Sequence, residues 1–218
     1  MKNTLQTIPT LLVECCRKFG KKPAIVLNNG LSISYKDMMW GISRTAQILR
    51  EQGVSKNSKV ALFMNNCPQS VETFLAITHV GAVALMLKED FSKEQIDEII
   101  KAETPDVVFI NENTKNLVCE DTNATIMQIS DNRILKSIDK GLSRSGYIIK
   151  SSDPAAIVYE IQKDSSFSRR IITHKEISSS ETKTKNKQKA MCKKNKIQQI
   201  TDTVINFAKL LSGRSVVC

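Results

Sequence analysis

The sequence predicts an α/β fold: a mostly parallel sheet wrapped by helices on both faces. Three observations carry that expectation. Near-continuous apolar runs recur at Lys59–Met64 (KVALFM), Gly81–Leu87 (GAVALML), Pro105–Ile110 (PDVVFI) and Asp153–Tyr159 (DPAAIVY), the character of strands buried on both faces. Between most of these runs lie amphipathic stretches of about 10 to 15 residues with helical spacing, as in βαβ units. Capping residues stand where such stretches begin.

In chain order, Leu5–Phe19 places Ile8, Leu11, Leu12, Cys15, Cys16 and Phe19 at helical spacing. Two short β-branched runs, Ala24–Leu27 and Leu31–Tyr35, flank Asn28-Asn29-Gly30, a strong hairpin signal. Ser34 with Asp37 starts a helix carrying Met39, Ile42, Ala46 and Leu49. Gly53 lies just past its end, as a helix stop should. After the first buried strand, NNCPQ leads into a helix from Gln69 to about His79. Ser92 with Gln95 caps a further helix bearing Ile96, Ile99 and Ile100. Asn111–Glu120 reads as another helix, and Ala124–Ser130 (ATIMQIS) as a strand before DPAAIVY.

With 218 residues, the chain suits one domain with an appendage, or one and a half domains. No apolar run approaches the roughly 18 residues that span a bilayer. The N-terminal stretch has apolar positions interrupted by polar ones, with Glu14 and Arg17 close behind, unlike a signal peptide; the expected compartment is the cytoplasm. The six cysteines form no CxxC, and the only histidines, His79 and His174, are far apart. That pattern argues against a zinc site or a Cys-His nucleophile pair.

The formal net charge of +10 is unevenly placed: Ser168–Lys196 holds ten Lys/Arg against Glu176 and Glu181. The expected organisation is therefore an α/β domain over 1–177, a basic low-complexity linker over 178–196, and an amphipathic helical tail over 197–218. The tail carries Ile197, Ile200, Val204, Phe207 and Leu211 on one face. The basic segment offers weak contact with an anionic membrane, about 1 kcal/mol per Lys/Arg near the surface. It lacks the interleaved aromatics that would stack bases, so specific nucleic-acid binding is not expected.

The order of elements, with KFGKKPAIVLNNGLSISYKDM, ILREQGVSKNSKVALFMNNCPQSVETFLAITHVGAVAL and SSDPAAIVY…THKEI, resembles the acyl-adenylate-forming (AMP-binding) enzymes, most of all the fatty-acid–CoA ligases. The resemblance covers about residues 5 to 177. It implies the N-terminal half of the large domain of that family. It also implies an ancestral reaction in which a carboxylic acid and ATP give an acyl-adenylate, then an acyl-CoA, with ATP/Mg and CoA as cofactors. In the family the loop after the DPAAIVY-like strand reads Tyr-Thr-Ser-Gly-Thr-Thr-Gly-x-Pro-Lys-Gly, followed shortly by Thr-His.

Here the count from Tyr159 to His174 keeps that pattern without a gap, but the interior differs. Gln162, Ser165 and Arg169 stand at the three glycine positions; Lys163 and Asp164 replace the threonine pair, Phe167 the proline and Ser168 the lysine. Glycines allow positive φ and bring backbone N–H groups against phosphate oxygens with no Cβ in the way. What remains for cofactor binding is a weak set: Lys163, Asp164, Ser165, Ser166, Ser168 and Thr173. Thr173 and His174 read as structural survivors, since no carboxylate or nucleophile stands beside them in sequence to make His174 a general base. No catalytic residue and no metal ligand is assigned.

Length adds to the same picture, because the family's second half and its small C-terminal domain have no counterpart in the sequence. The expected function is a non-catalytic relative of the acid–CoA ligases. Two alternatives stand beside it: half of a split ligase completed by a partner chain or by self-association, which would cover an open sheet edge, and an interaction module acting through the basic tail.

Overall fold

In a computed structural model, residues 7–65, 67–118, 122–129, 146–162 and 166–179 are described, together with the backbone of 216–217. Six strands form the central sheet in the order β6-β5-β3-β4-β7-β8: β3 (Lys59–Phe63), β4 (Val83–Met86), β5 (Val107–Ile110), β6 (Thr125–Gln128), β7 (Pro154–Ile161) and β8 (Phe167–Thr173). All neighbouring pairs are parallel except β7 with β8. The expected parallel α/β architecture is present, with one antiparallel strand at its edge.

Both faces of the sheet are packed, which explains why its central strands read as continuous apolar runs. Val60, Leu62, Ala84, Val107, Phe109, Ala156 and Val158 join one core cluster with residues of α1 (Ile8–Phe19), α2 (Tyr35–Glu51) and α3 (Pro68–His79). Alternate residues Ala61, Phe63, Leu85, Val108, Ile110, Ile157 and Tyr159 join a second cluster under α4 (Lys93–Glu103). The alternation is the two-residue period of a pleated strand. Burial of the Val, Leu, Ile and Phe side chains among them contributes roughly 1.5–3 kcal/mol each.

Local signals set the helix starts. The Ser34 hydroxyl accepts from the Asp37 N–H at the start of α2. Ser92 and Gln95 satisfy one another's backbone N–H at the start of α4, at 2.9 and 3.3 Å. Gly53 follows α2 with φ +78°, the left-handed turn anticipated for it. The first hairpin closes at Gly30, φ +84°, between β1 (Pro23–Val26) and β2 (Ser32–Ser34).

Several expectations are corrected. Of the helix expected over Asn111–Glu120, the described residues 111–118 hold a 3-10 turn at Lys115–Leu117. Thr114 Oγ1 donates to the Phe63 carbonyl at 2.7 Å and accepts from the Asn111 N–H at 3.1 Å, a local alternative to helical bonding. On α2, Met38 is fully buried, and Met39 is half-buried and packed against the same core. Most of the tail read as helical over 197–218 lies outside the described residues, as does the linker from 180 onward. Val216–Val217 within it form a short strand, β9, paired in parallel with Ile25–Val26 of β1. Among the described residues no helix is long and apolar enough to cross a membrane.

Candidate functional site

The hairpin of β7 and β8 carries the stretch from Tyr159 to Thr173 that the sequence resemblance aligns with a phosphate loop. The register is unbroken from Ala156↔Ile172 to Ile161↔Phe167, passing through Tyr159↔Arg169. Beyond it the Gln162 N–H donates to the Ser166 carbonyl at 2.8 Å. The backbone donor at the first glycine position is therefore used inside the hairpin rather than offered outward.

Lys163, Asp164 and Ser165 lie outside the described residues. The other three candidates do not converge. Ser166 closes the loop through its carbonyl. Ser168 is exposed on β8 opposite Glu160. Thr173 lies at the far end of β8 opposite Pro154, where its side chain is taken by α5 (His174–Ser179). Thr173 Oγ1 accepts from the Glu176 N–H at 3.2 Å and donates to Glu176 Oε2 at 3.0 Å, which also accepts from the Thr173 N–H at 2.8 Å. The backbone N–H of Thr173, first among several donors, holds the Glu176 carboxyl below its usual range. This is a reciprocal helix cap.

His174 is fully buried, and its Nδ1 accepts from the Ile8 N–H at 3.4 Å. The acceptor role at Nδ1 places the proton on Nε2, which has no hydrogen-bond partner among the described residues. Burial pushes its pKa down to about 4, against a smaller opposing pull from Asp153 and with Lys56 adding to the depression. His174 is a neutral tie between α5 and the first turn of α1.

The chemistry that sequence reasoning missed is at Glu103, the last residue of α4. Its side chain is 4% exposed and meets donors from three strands. Tyr159 Oη donates to Oε1 at 2.6 Å, Arg169 Nε to Oε1 and Arg169 Nη2 to Oε2 at 3.3 Å, and Lys59 Nζ reaches Oε2 at 2.9 Å. Lys59 Nζ also donates to the Glu103 carbonyl at 2.8 Å, a cation placed on the helix C-terminus. Burial by itself raises the Glu103 pKa, but donors from Arg169, Tyr159 and Lys59 outweigh it and hold the carboxyl down to about 2. Burial and the nearby carboxylate push Tyr159 up to about 12. A sequence signal existed: Glu103 continues the stripe of Ile96, Ile99 and Ile100 on α4, at spacing i+7 from Ile96.

Phe167, at the family's proline position, packs its ring edge-on against Tyr159 and Phe91, with centroids 5.9 and 6.2 Å apart. Phe167 is thus packed against the second core cluster. Two groups of the described hairpin are engaged inside the fold: the Gln162 N–H with the Ser166 carbonyl, and the Arg169 guanidinium with the internal Glu103 carboxylate. Among the described residues no group of three or more His, Cys, Asp or Glu could hold a metal ion.

A mostly parallel six-stranded sheet, helices on both faces and one antiparallel edge strand make up an α/β domain of the kind seen in adenylate-forming enzymes. The sequence model for AMP-binding enzymes matches residues 12–208, and the chain belongs to that family. Acetyl-coenzyme A synthetase of Emericella nidulans is 30% identical over 86 residues, covering 39% of this chain and 13% of that protein. Hybrid PKS-NRPS synthetase gkaA of Penicillium citrinum is 29% identical over 155 residues, 70% of this chain and 4% of that one. The chain thus spans a small part of the curated relatives it matches. Among solved structures, the N-terminal domain of FACL13 from Mycobacterium tuberculosis superposes with a TM-score of 0.78 at 15% identity, covering 97% of this chain and 56% of that one. A Mycobacterium tuberculosis fatty acyl CoA synthetase gives 0.76 at 15%, over 99% and 45%. At such identity these two likenesses show the fold.

Proposed function

We propose that this protein is a non-catalytic relative of the acid–CoA ligases, with its phosphate-loop positions turned over to holding the fold together. The observation that carries the reading is Arg169. It stands at a glycine position of the family pattern, and its side chain is bound to buried Glu103. ATP/Mg and CoA are what the family implies. The hairpin lacks the glycines, the threonine pair and the lysine that would hold the β,γ-phosphates, and preorganised donors of that kind supply most of the electrostatic stabilisation in such transfers.

The test is ATP–pyrophosphate exchange on the purified chain, across short-, medium- and long-chain carboxylic acids. No exchange above the no-enzyme rate is expected. Acid-dependent exchange clearly above that rate overturns the proposal.

A further inference from the structure

Four donors from three strands converge on the Glu103 carboxylate: Tyr159 Oη, Nε and Nη2 of Arg169, and Lys59 Nζ. The Arg169 nitrogens address the two carboxylate oxygens separately, the side-on fork that matches a planar carboxylate. The acceptor is 4% exposed, while the side chains of Lys59 and Arg169 are 34% and 41% exposed. Their outer sides are thus open to water and their inner sides closed by Glu103. Such a constellation is what a binding site for a small carboxylate looks like when it is filled.

We propose that Lys59, Tyr159 and Arg169 form an oxyanion site specific for a planar carboxylate, and that Glu103 occupies it as an internal plug. The contact is autoinhibitory in the literal sense: the Nε–Nη2 fork of Arg169 is withheld from external carboxylates as long as Glu103 is seated. The inference goes beyond the non-catalytic reading and does not depend on it, since pyrophosphate exchange is indifferent to whether Glu103 blocks an anion site.

Glu103→Ala removes the plug and leaves the donors in place. Wild type, E103A, E103Q and E103A/R169A are melted in sodium formate and in sodium chloride at equal ionic strength. Formate at roughly five times its Kd is expected to raise the E103A midpoint by about 2–4 °C over chloride. No formate-specific rise is expected in wild type, where the site is filled, in E103Q, where a neutral amide fills it, or in E103A/R169A, where the fork is gone. Equal midpoints of E103A in formate and chloride overturn the proposal, and so does a wild-type response as large as that of E103A. If E103A does not fold in chloride, it is refolded from urea in each salt. Recovery in formate alone supports the plugged site, and recovery in neither overturns it. Inorganic phosphate serves as the third anion: a rise equal to that with formate refutes the planar-carboxylate preference.

Discussion

Buried His174 makes stability depend on pH in a window that can be computed in advance. Its pKa lies near 4 in the folded chain, against about 6.5 for an ordinary histidine. Because the folded value is depressed, the unfolded chain binds the proton more readily, and stability falls as pH drops below about 6.5. The loss flattens below about 4, where both states are protonated. Between pH 7 and pH 5 the difference amounts to about 2 kcal/mol, and over the whole window to about 3 kcal/mol. His174→Asn supplies an oxygen acceptor near the Nδ1 position for the Ile8 N–H and has nothing to titrate. Urea denaturation of both proteins at pH 7, 6 and 5 should show wild type losing about 2 kcal/mol more than the variant. His79 is common to both and cancels. Parallel stability curves from pH 7 to pH 5 would refute the assignment of His174 as a buried neutral tie. Glu103 acts in a different window: its lowered pKa contributes stability that is present above about 4.5 and lost as pH falls toward 2.

Arg169→Gly restores the family's residue at that position and should lower stability by about 1–3 kcal/mol in urea titration, because Glu103 keeps only Lys59 and Tyr159. An unchanged or increased stability would count against the clasp. Phe167→Ala loses the ring contacts with Tyr159 and Phe91; as Phe167 is half-buried, the expected loss is about 1–2 kcal/mol by the same assay, below that of a fully buried Phe. At Gly41 a Cβ would come within 2.1 Å of Glu72 Oε2, so Gly41→Ala should cost about 1–3 kcal/mol by overpacking the α2–α3 contact, where an exposed helix position would gain from the same change.

Much of the sheet is legible in the sequence because its physics is local. Strands buried on both faces announce themselves as apolar runs, and Ser34, Ser92, Gly30 and Gly53 announce turns and helix ends through their own hydrogen bonds or φ. Three features escape for definite reasons. Among the described residues the stretch after Asn111 holds one short turn, where the Thr114 hydroxyl is bound to the end of β3, a contact between residues far apart in sequence. β8 carries Ser-Arg-Arg in its middle and shows no clean alternation; its register is imposed by β7. β9 pairs with β1 from the opposite end of the chain, a partnership that no window of sequence contains. The candidate site divides in the same way. The departures from the family pattern are visible by counting from Tyr159 to His174, whereas the partners of Arg169 and Phe167 outside the hairpin, Glu103 at the end of α4 and Phe91 just before that helix, stand far earlier in the chain.

Nucleotide binding is the most direct test of the claim that the hairpin has left phosphate chemistry. Mg·ATP is titrated calorimetrically into the purified chain up to millimolar concentration. Heats equal to those of dilution are expected. A saturable isotherm with near-unit stoichiometry, abolished by scrambling residues 162–169, would contradict the claim.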